Sequence, residues 1–399
     1  MEQLFEKFLR KISGISTNFV RDFIRKVDWQ DRMIGIRGAR GVGKTTLLLQ
    51  YARLELPLGN RTLYVSLDDI YFANNTLLEL ADQFVKNGGE FLILDEVHRY
   101  ATWSVELKNI YDDYPVLKVI FTGSSALHLH RAKADLSRRV VIYHMPGLSL
   151  REFLRLDASY GISLPPVSLS DIIENHTDIC LSLTHQFKPL PVFREYLSLG
   201  YYPFFTENKN TYHIKLAEIL NLILEVDLPH VVNINLSSIE KIRKLLYLLV
   251  EFSPFKPNIQ KLSERVGVAR NTVIAYLQYL QEKEIISLLY SATKSISAMQ
   301  KPEKVYLQNP NLFHALASNN VNVGSLRETF FLNQLQQKHT VQYPKQGGFL
   351  IDDYWVAEIG GSGKGKQQLK GIENGFIAAD HLEIGYQNKI PLWLFGFLY

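Results

Sequence analysis

The sequence predicts an α/β protein whose first part is a parallel sheet with helices on both faces. Three observations carry that expectation. Short apolar runs alternate with segments of helical period as far as residue 145. A glycine-rich loop, Gly38-Ala39-Arg40-Gly41-Val42-Gly43-Lys44-Thr45, follows the first such run, and a later run, Phe91-Leu92-Ile93-Leu94, ends in Asp95-Glu96. A buried parallel strand reads as a continuous apolar stretch, and open α/β sheets bind their ligands beyond the carboxyl ends of such strands.

In chain order, Leu4, Phe5, Phe8, Leu9 and Ile12 recur at helical spacing, and a second helix is expected around Phe19 to Val27. The strand after it feeds the loop, which fits G-x-x-x-x-G-K-[ST], the P-loop pattern. Backbone N–H groups in such a turn point inward at a polyphosphate, and side chains there would block the approach. Gly38, Gly41 and Gly43 supply clearance, and Gly38, Ala39, Arg40, Gly41, Val42, Gly43, Lys44, Thr45 and Thr46 form the expected nucleotide-holding set. Lys44 reaches the β and γ phosphates, while the Thr45 hydroxyl is suited to ligate Mg²⁺. ATP and Mg²⁺ are therefore the expected ligands. Leu47-Leu48-Leu49 gives the following helix a buried face.

Thr62 to Leu67 reads as a strand, Thr76 to Lys86 as a helix, and Glu90 to Glu96 as the Walker B strand. Asp95 is expected to hold the Mg²⁺ shell and Glu96 to orient and activate water. A helix from about Trp103 to Asp113 leads to a further strand, Val116 to Phe121, that ends in Thr122-Gly123-Ser124-Ser125. A hydroxyl at that tip is positioned for the γ-phosphate or its water. Ser124 is the first choice, Thr122 and Ser125 are its neighbours, and helix capping is the competing reading. Ser137 to Tyr143 reads as a fifth strand with Arg138 and Arg139 at its start; either arginine suits a finger on a nucleotide, its own or a neighbour's, or a surface salt bridge.

Composition bounds the rest. A chain of 399 residues is long enough for two or three domains, and 46% hydrophobic with 21% charged residues describes an ordinary soluble protein. A net charge of +4 allows a local nucleic-acid patch without arguing for one. Cys180 is the single cysteine, which excludes an intrachain disulfide and cysteine-type zinc clusters. His128 and His130 read as a polar helix face. No apolar run approaches the roughly 18 residues of a membrane span, and the charged N-terminus is unlike a signal peptide, so no membrane partner and a cytoplasmic location are expected.

Four domains are expected: the sheet at 1–146, a helical lid at 147–235, a winged helix-turn-helix at 236–310 and a C-terminal α+β domain at 311–399. Asn258 to Val273 reads as helix, tight Gly turn and second helix, with Ile285 to Leu289 and Lys304 to Leu307 as the wing. DNA contact through residues 258–290, with Arg270, Asn271 and Thr272 opening the second helix, stands beside a packing or subunit-contact role. Further on, Gly324 to Phe331 reads as a capped helix and Phe349 to Ile359 as a hairpin with a two-residue turn at Asp352-Asp353.

Arg37 to Thr46, Leu94-Asp95-Glu96-Val97-His98, Thr122-Gly123-Ser124-Ser125, Leu148 to Phe153 and Gly200-Tyr201-Tyr202-Pro203 together resemble a prokaryotic AAA+ ATPase family whose members carry a C-terminal domain of unknown function. The resemblance implies ATP hydrolysis coupled to conformational change on DNA or a protein; a homo-oligomer is the setting in which Arg138 or Arg139 could act on a neighbour's nucleotide instead of its own. The family has a Gly before that Arg, where this chain has Ser137 or Arg138. The alternative is a nucleotide-switched binding module with little turnover. The C-terminal domain of such proteins resembles PD-(D/E)xK nucleases, which implies metal-binding roles for Glu328 and Glu358. Gly348 and Gly360 stand where the Asp and Lys of that pattern belong, so nuclease activity is not expected.

Overall fold

Five strands, β1 (Met33–Arg37), β2 (Thr62–Ser66), β3 (Phe91–Asp95), β4 (Lys118–Gly123) and β5 (Val141–His144), form a wholly parallel sheet in the order β2-β3-β4-β1-β5. The protein is described by a computed structural model, which covers residues 1–123, 136–229, 235–252, 256–292, 301–316 and 321–399. The chain divides into two units, Met1–Gly147 and Leu148–Tyr399.

The first unit bears out the parallel α/β reading. Its central strands are apolar on both faces because helices cover both: Ile34, Leu92, Ile93, Leu94 and Phe121 are fully buried. The helices are α1 (Glu2–Gly14), α2 (Lys44–Glu55), α3 (Leu77–Lys86) and α4 (Trp103–Asp113). In α1 the buried stripe is Leu4, Phe8 and Ile12, while Leu9 is exposed.

Two local expectations change. The helix expected at Phe19 to Val27 reduces to a 3₁₀ turn, Asp22–Arg25. The first carbonyl it would have used, Phe19 O, accepts instead from Gln50 at 2.8 Å, as does Ser16 O just ahead of it. The fifth strand begins at Val141, and Ser137, Arg138 and Arg139 precede it in a turn where Arg138 adopts φ 66°. Arg21 is buried among carbonyls, donating to Val42 O at 3.3 Å, Pro146 O at 2.6 Å and Gly147 O at 2.8 Å, which ties the glycine-rich loop to the end of the unit.

The second unit opens with α5 (Leu150–Leu156), α6 (Leu169–Thr184), α7 (Pro189–Leu199) and α8 (Tyr212–Leu222), the last running into a π-helical turn at Ile223–Asp227. Next come α9 (Leu236–Phe252), α10 (Ile259–Val266) and α11 (Arg270–Glu282), then an antiparallel pair, β6 (Ile286–Leu289) and β7 (Lys304–Leu307). After α12 (Asn311–Leu316) and α13 (Val323–Leu335) the chain forms β8 (Val341–Gln342), β9 (Phe349–Ile351), β10 (Trp355–Gly360), β11 (Gly375–Ala379) and β12 (Lys389–Pro391). This sheet is antiparallel from β8 to β10 and parallel from β10 to β12. At its hairpin Asp352 and Asp353 both have positive φ, and pairing of Ile351 with Trp355 leaves three residues in the turn, not two. Tyr354 N–H closes it on Ile351 O at 3.0 Å, and the Asp352 carboxylate accepts from Thr340 N–H at 2.9 Å.

The segments expected as lid, winged helix and C-terminal domain share interior contacts within this unit. Phe330 of α13 packs on Phe193 and Tyr196 of α7, with ring centroids 4.7 and 5.9 Å apart. Asn311 is fully buried and joins α7 to α8 through its side chain. It accepts from Tyr201 N–H at 2.8 Å and the Tyr212 hydroxyl at 2.6 Å, and donates to Tyr196 O at 3.0 Å and Leu197 O at 2.9 Å. Among the described residues no helix is long and apolar enough to cross a membrane.

A buried amide with all four bonds made is costly to delete, because each abandoned group keeps its desolvation penalty. Asn311→Leu is expected to lower the unfolding free energy of the second unit by about 3–5 kcal/mol in urea titration. A loss below about 1 kcal/mol would mean that these bonds do not hold the unit together.

Candidate nucleotide site

The site forms where β1, β2, β3 and β4 end at the same edge of the sheet. β1 hands the chain to the glycine-rich loop. A Cβ on Gly38 would lie 2.3 Å from the carbonyl oxygen of Met145, so only glycine lets the loop pass the chain leaving β5. Gly43 has φ 95° and is the N-cap of α2, a left-handed conformation that other residues enter at a cost. Ala39 and Val42 are buried, Arg40 and Gly41 half-buried, and Thr46 exposed.

Lys44 is only 5% exposed, and its ammonium donates to Gly38 O at 2.8 Å and Ala39 O at 2.9 Å, closing a ring across the loop. Thr45 stands at the first turn of α2 and its hydroxyl donates to Asp95 Oδ2 at 2.6 Å. Loop and β3 are thus joined by one hydrogen bond between the two residues that the sequence assigns to a metal.

Asp95 is 3% exposed and its carboxylate is fully engaged. Oδ2 accepts from Thr45 and from the Tyr64 hydroxyl at 2.7 Å; Oδ1 accepts from the Thr122 hydroxyl and from Glu96 N–H at 3.1 Å. Strand register explains the convergence: Tyr64 pairs with Ile93, two residues before Asp95, and β4 runs alongside β3 with Leu94 opposite Phe121, so Thr122 follows beside Asp95. Among the described residues no lysine, arginine or histidine makes an ion pair with Asp95. A buried carboxylate held only by neutral donors retains its full charge for a cation, and Thr45 adds an oxygen beside it, so this donor set fits a hard divalent metal. Burial first, and then the Asp95 charge, push the Tyr64 phenol far above its ordinary pKa, so it remains a donor.

Glu96 takes the left-handed conformation, φ 53° and ψ 40°. Strain of that kind in a non-glycine residue costs about 1–3 kcal/mol and is offset here by the N–H bonds to Asp95 Oδ1 and to Thr122 Oγ1 at 3.1 Å. Its carboxylate Oε2 lies 3.4 Å from Nε2 of the buried His98.

The structure does not bring Arg138 and Arg139 to their own loop. β5 is parallel to β1, with Ile34 opposite Val141 and Arg37 opposite His144, so the arginines stand before the amino end of β5 and the loop lies past the carboxyl end of β1. Arg138 is exposed. Arg139 donates to both oxygens of Asp112 on α4, at 2.9 and 3.0 Å. Ser124, Ser125, His128 and His130 lie outside the described residues. Tyr64 and His98 were not singled out by sequence reasoning; the signal for Tyr64 was one phenol inside a buried strand, where a hydroxyl needs a partner.

In the second unit the carboxylates of the nuclease-like pattern are bonded to lysines. Glu328 accepts from Lys304 at 3.1 Å and from the Tyr306 hydroxyl at 3.0 Å, and Glu358 pairs with Lys364 at 3.1 Å. Lys364 also covers Gly360, where a Cβ would meet its side chain at 2.8 Å. No group of three or more metal-ligating side chains occurs among the described residues.

Fold and site define a P-loop nucleotide-binding protein. Residues 30–154 match the AAA domain family, and residues 190–322 match a domain of unknown function, DUF8612. The chain is 30% identical over 389 residues to the uncharacterized protein MJ1637 of Methanocaldococcus jannaschii, covering 88% of this chain and 81% of that one. It belongs to the same family as that archaeal protein, and carries an AAA domain at residues 30–154. Among solved structures, AMPPCP-bound DnaA from Aquifex aeolicus is 16% identical, covers 65% of this chain and 84% of that one, and superposes with a TM-score of 0.27. PCH-2 of C. elegans is also 16% identical, over 37% of this chain and 48% of that one, with a TM-score of 0.26.

The Thr122 hydroxyl is the link between the Asp95 carboxylate and the Glu96 backbone. Thr122→Val keeps the shape and removes both bonds, and is expected to destabilise the first unit by about 1–3 kcal/mol in thermal unfolding, with Thr122→Ser retaining most of the wild-type stability. Wild-type stability in Thr122→Val would show that the hydroxyl does not hold Asp95.

Proposed function

We propose that the chain is a Mg²⁺-dependent ATP hydrolase. The observation that carries this is the 2.6 Å hydrogen bond from Thr45 to Asp95, beside a glutamate whose side chain is 21% exposed and whose backbone is strained. Thr45 and Asp95 would hold the magnesium ion, which supplies neutralisation of phosphate charge when bound. The remaining work falls to the chain's own groups. Lys44 exchanges two loop carbonyls for the β and γ phosphates, and the loop N–H groups from Gly38 to Thr46 bind phosphate oxygens. Glu96 orients a water against the γ-phosphorus and takes its proton as ADP and phosphate form. Ser124 is retained as the hydroxyl that senses the γ-phosphate.

Arg138 is exposed at the opposite end of β5 from its own loop, which favours a role on the nucleotide of a second copy over one in its own subunit. Arg139 already pairs with Asp112 and is the weaker candidate.

For the output we read α10, α11 and the β6–β7 pair as a winged helix-turn-helix. Arg265, Arg270 and Asn271 are exposed around its turn, which favours the second reading, a module whose association with DNA is switched by nucleotide. A DNA titration with and without ATP at two salt concentrations decides it: binding that weakens with salt and changes with nucleotide is expected, and no binding at low salt rejects it. The lysine-bonded state of Glu328 and Glu358 supports a non-hydrolytic role for the C-terminal sheet.

The ATPase reading predicts that Lys44→Ala loses ATP binding by at least about 100-fold, while Glu96→Gln keeps binding and loses about 100-fold or more of turnover. Fluorescent-nucleotide titration and phosphate release measure the two. Equal turnover in Glu96→Gln and wild type would remove Glu96 from its role.

A further inference from the structure

Tyr64 is the one donor to Asp95 that lies in none of the nucleotide-binding motifs. It stands on β2, is 3% exposed, and its hydroxyl meets the same carboxylate oxygen that receives Thr45, at 2.7 and 2.6 Å. Two donors on Oδ2 and two on Oδ1 fix the plane of the carboxylate, whose terminal torsion is otherwise broad and two-fold. Deleting Thr45 or Thr122 would also damage the loop or the Glu96 backbone. Tyr64 touches neither, so its bond serves Asp95 alone.

The phenol is itself held by α1. Phe8 stacks beside it, with centroids 6.3 Å apart and planes 23° from parallel. Lys11 sits 4.7 Å over its ring, and its ammonium approaches the phenol oxygen at 3.5 Å. A cation on a phenol draws electron density from the oxygen and strengthens the hydroxyl as a donor. α1 spans Glu2–Gly14 and lies ahead of the segment, 30–154, that matches the AAA domain.

We propose that Tyr64 is a positioning residue for the divalent cation: its phenol, clamped by Phe8 and Lys11 of α1, locks Asp95 against Thr45 and thereby sets the affinity for Mg²⁺ in the Mg·nucleotide complex. This rests on the reading of Asp95 and Thr45 as the metal-holding pair. Partners that orient metal ligands typically contribute about 10–100-fold to metal affinity. The link also makes cation affinity depend on a helix that contains no phosphate-binding residue.

The test uses the full chain and a fluorescent ADP analogue titrated at fixed free Mg²⁺ and again in EDTA, so that no turnover enters the readout. Tyr64→Phe is expected to raise the free Mg²⁺ needed for half-maximal tightening by about 10-fold, with affinity in EDTA within about 2-fold of wild type. Lys11→Met, a surface change that spares the phenol, is expected to shift the same midpoint in the same direction by a smaller factor, and keeps the test decisive if Tyr64→Phe folds poorly. Asp95→Asn separates the two levels of the argument. A shift in Asp95→Asn with none in Tyr64→Phe overturns the role of Tyr64 and leaves the metal pair standing. No shift in either overturns the metal pair, and the proposal with it. An equal loss of affinity with Mg²⁺ and in EDTA would reduce Tyr64 to packing.

Discussion

The first unit depends on a single buried carboxylate. Asp95 sits at the tip of a central strand with its charge out of water, which is tolerable only if every oxygen is met by a donor. The donors come from four places in the chain: Tyr64 on β2, the backbone of Glu96, Thr122 on β4 and Thr45 on α2. Each demands a particular strand register, and each register is fixed by the apolar faces that the helices cover. Burial of the sheet therefore sets the geometry of the charge, and the charge in turn ties the glycine-rich loop to the strand beside it.

The same requirement accounts for the strain in Glu96. Glu96, left-handed directly after the buried aspartate, donates its own N–H to Asp95 and Thr122. Backbone strain thus satisfies one side chain and leaves the next, the glutamate carboxylate, beside His98 and partly open to solvent. Lys44 solves a parallel problem, since a buried ammonium needs acceptors, and the loop's own carbonyls supply them.

The second unit is held by aromatic packing and buried amides. Asn311 and the Phe330 cluster bind helices that are more than a hundred residues apart in sequence into one interior. Its acidic residues are paired rather than converging: Glu328 with Lys304, Glu358 with Lys364, and Asp380 with Arg327 at 2.8 Å.

Sequence by itself determined the parallel sheet, because short apolar runs alternate with segments of helical period through residue 145, and it located the loop, since the pattern around Gly38 to Thr45 is imposed by backbone clearance. It also marked Asp95 and Glu96 by their place at a strand end. Only the tertiary structure decided what meets them. Tyr64 lies thirty-one residues from Asp95 in sequence, and its role follows from strand order, which no local pattern encodes. The positions of Arg138 and Arg139 were likewise decided by strand direction: β5 runs parallel to β1, and the start of one strand lies at the opposite edge from the end of the other. Local chemistry named the groups, and the long-range pairing of strands chose their partners.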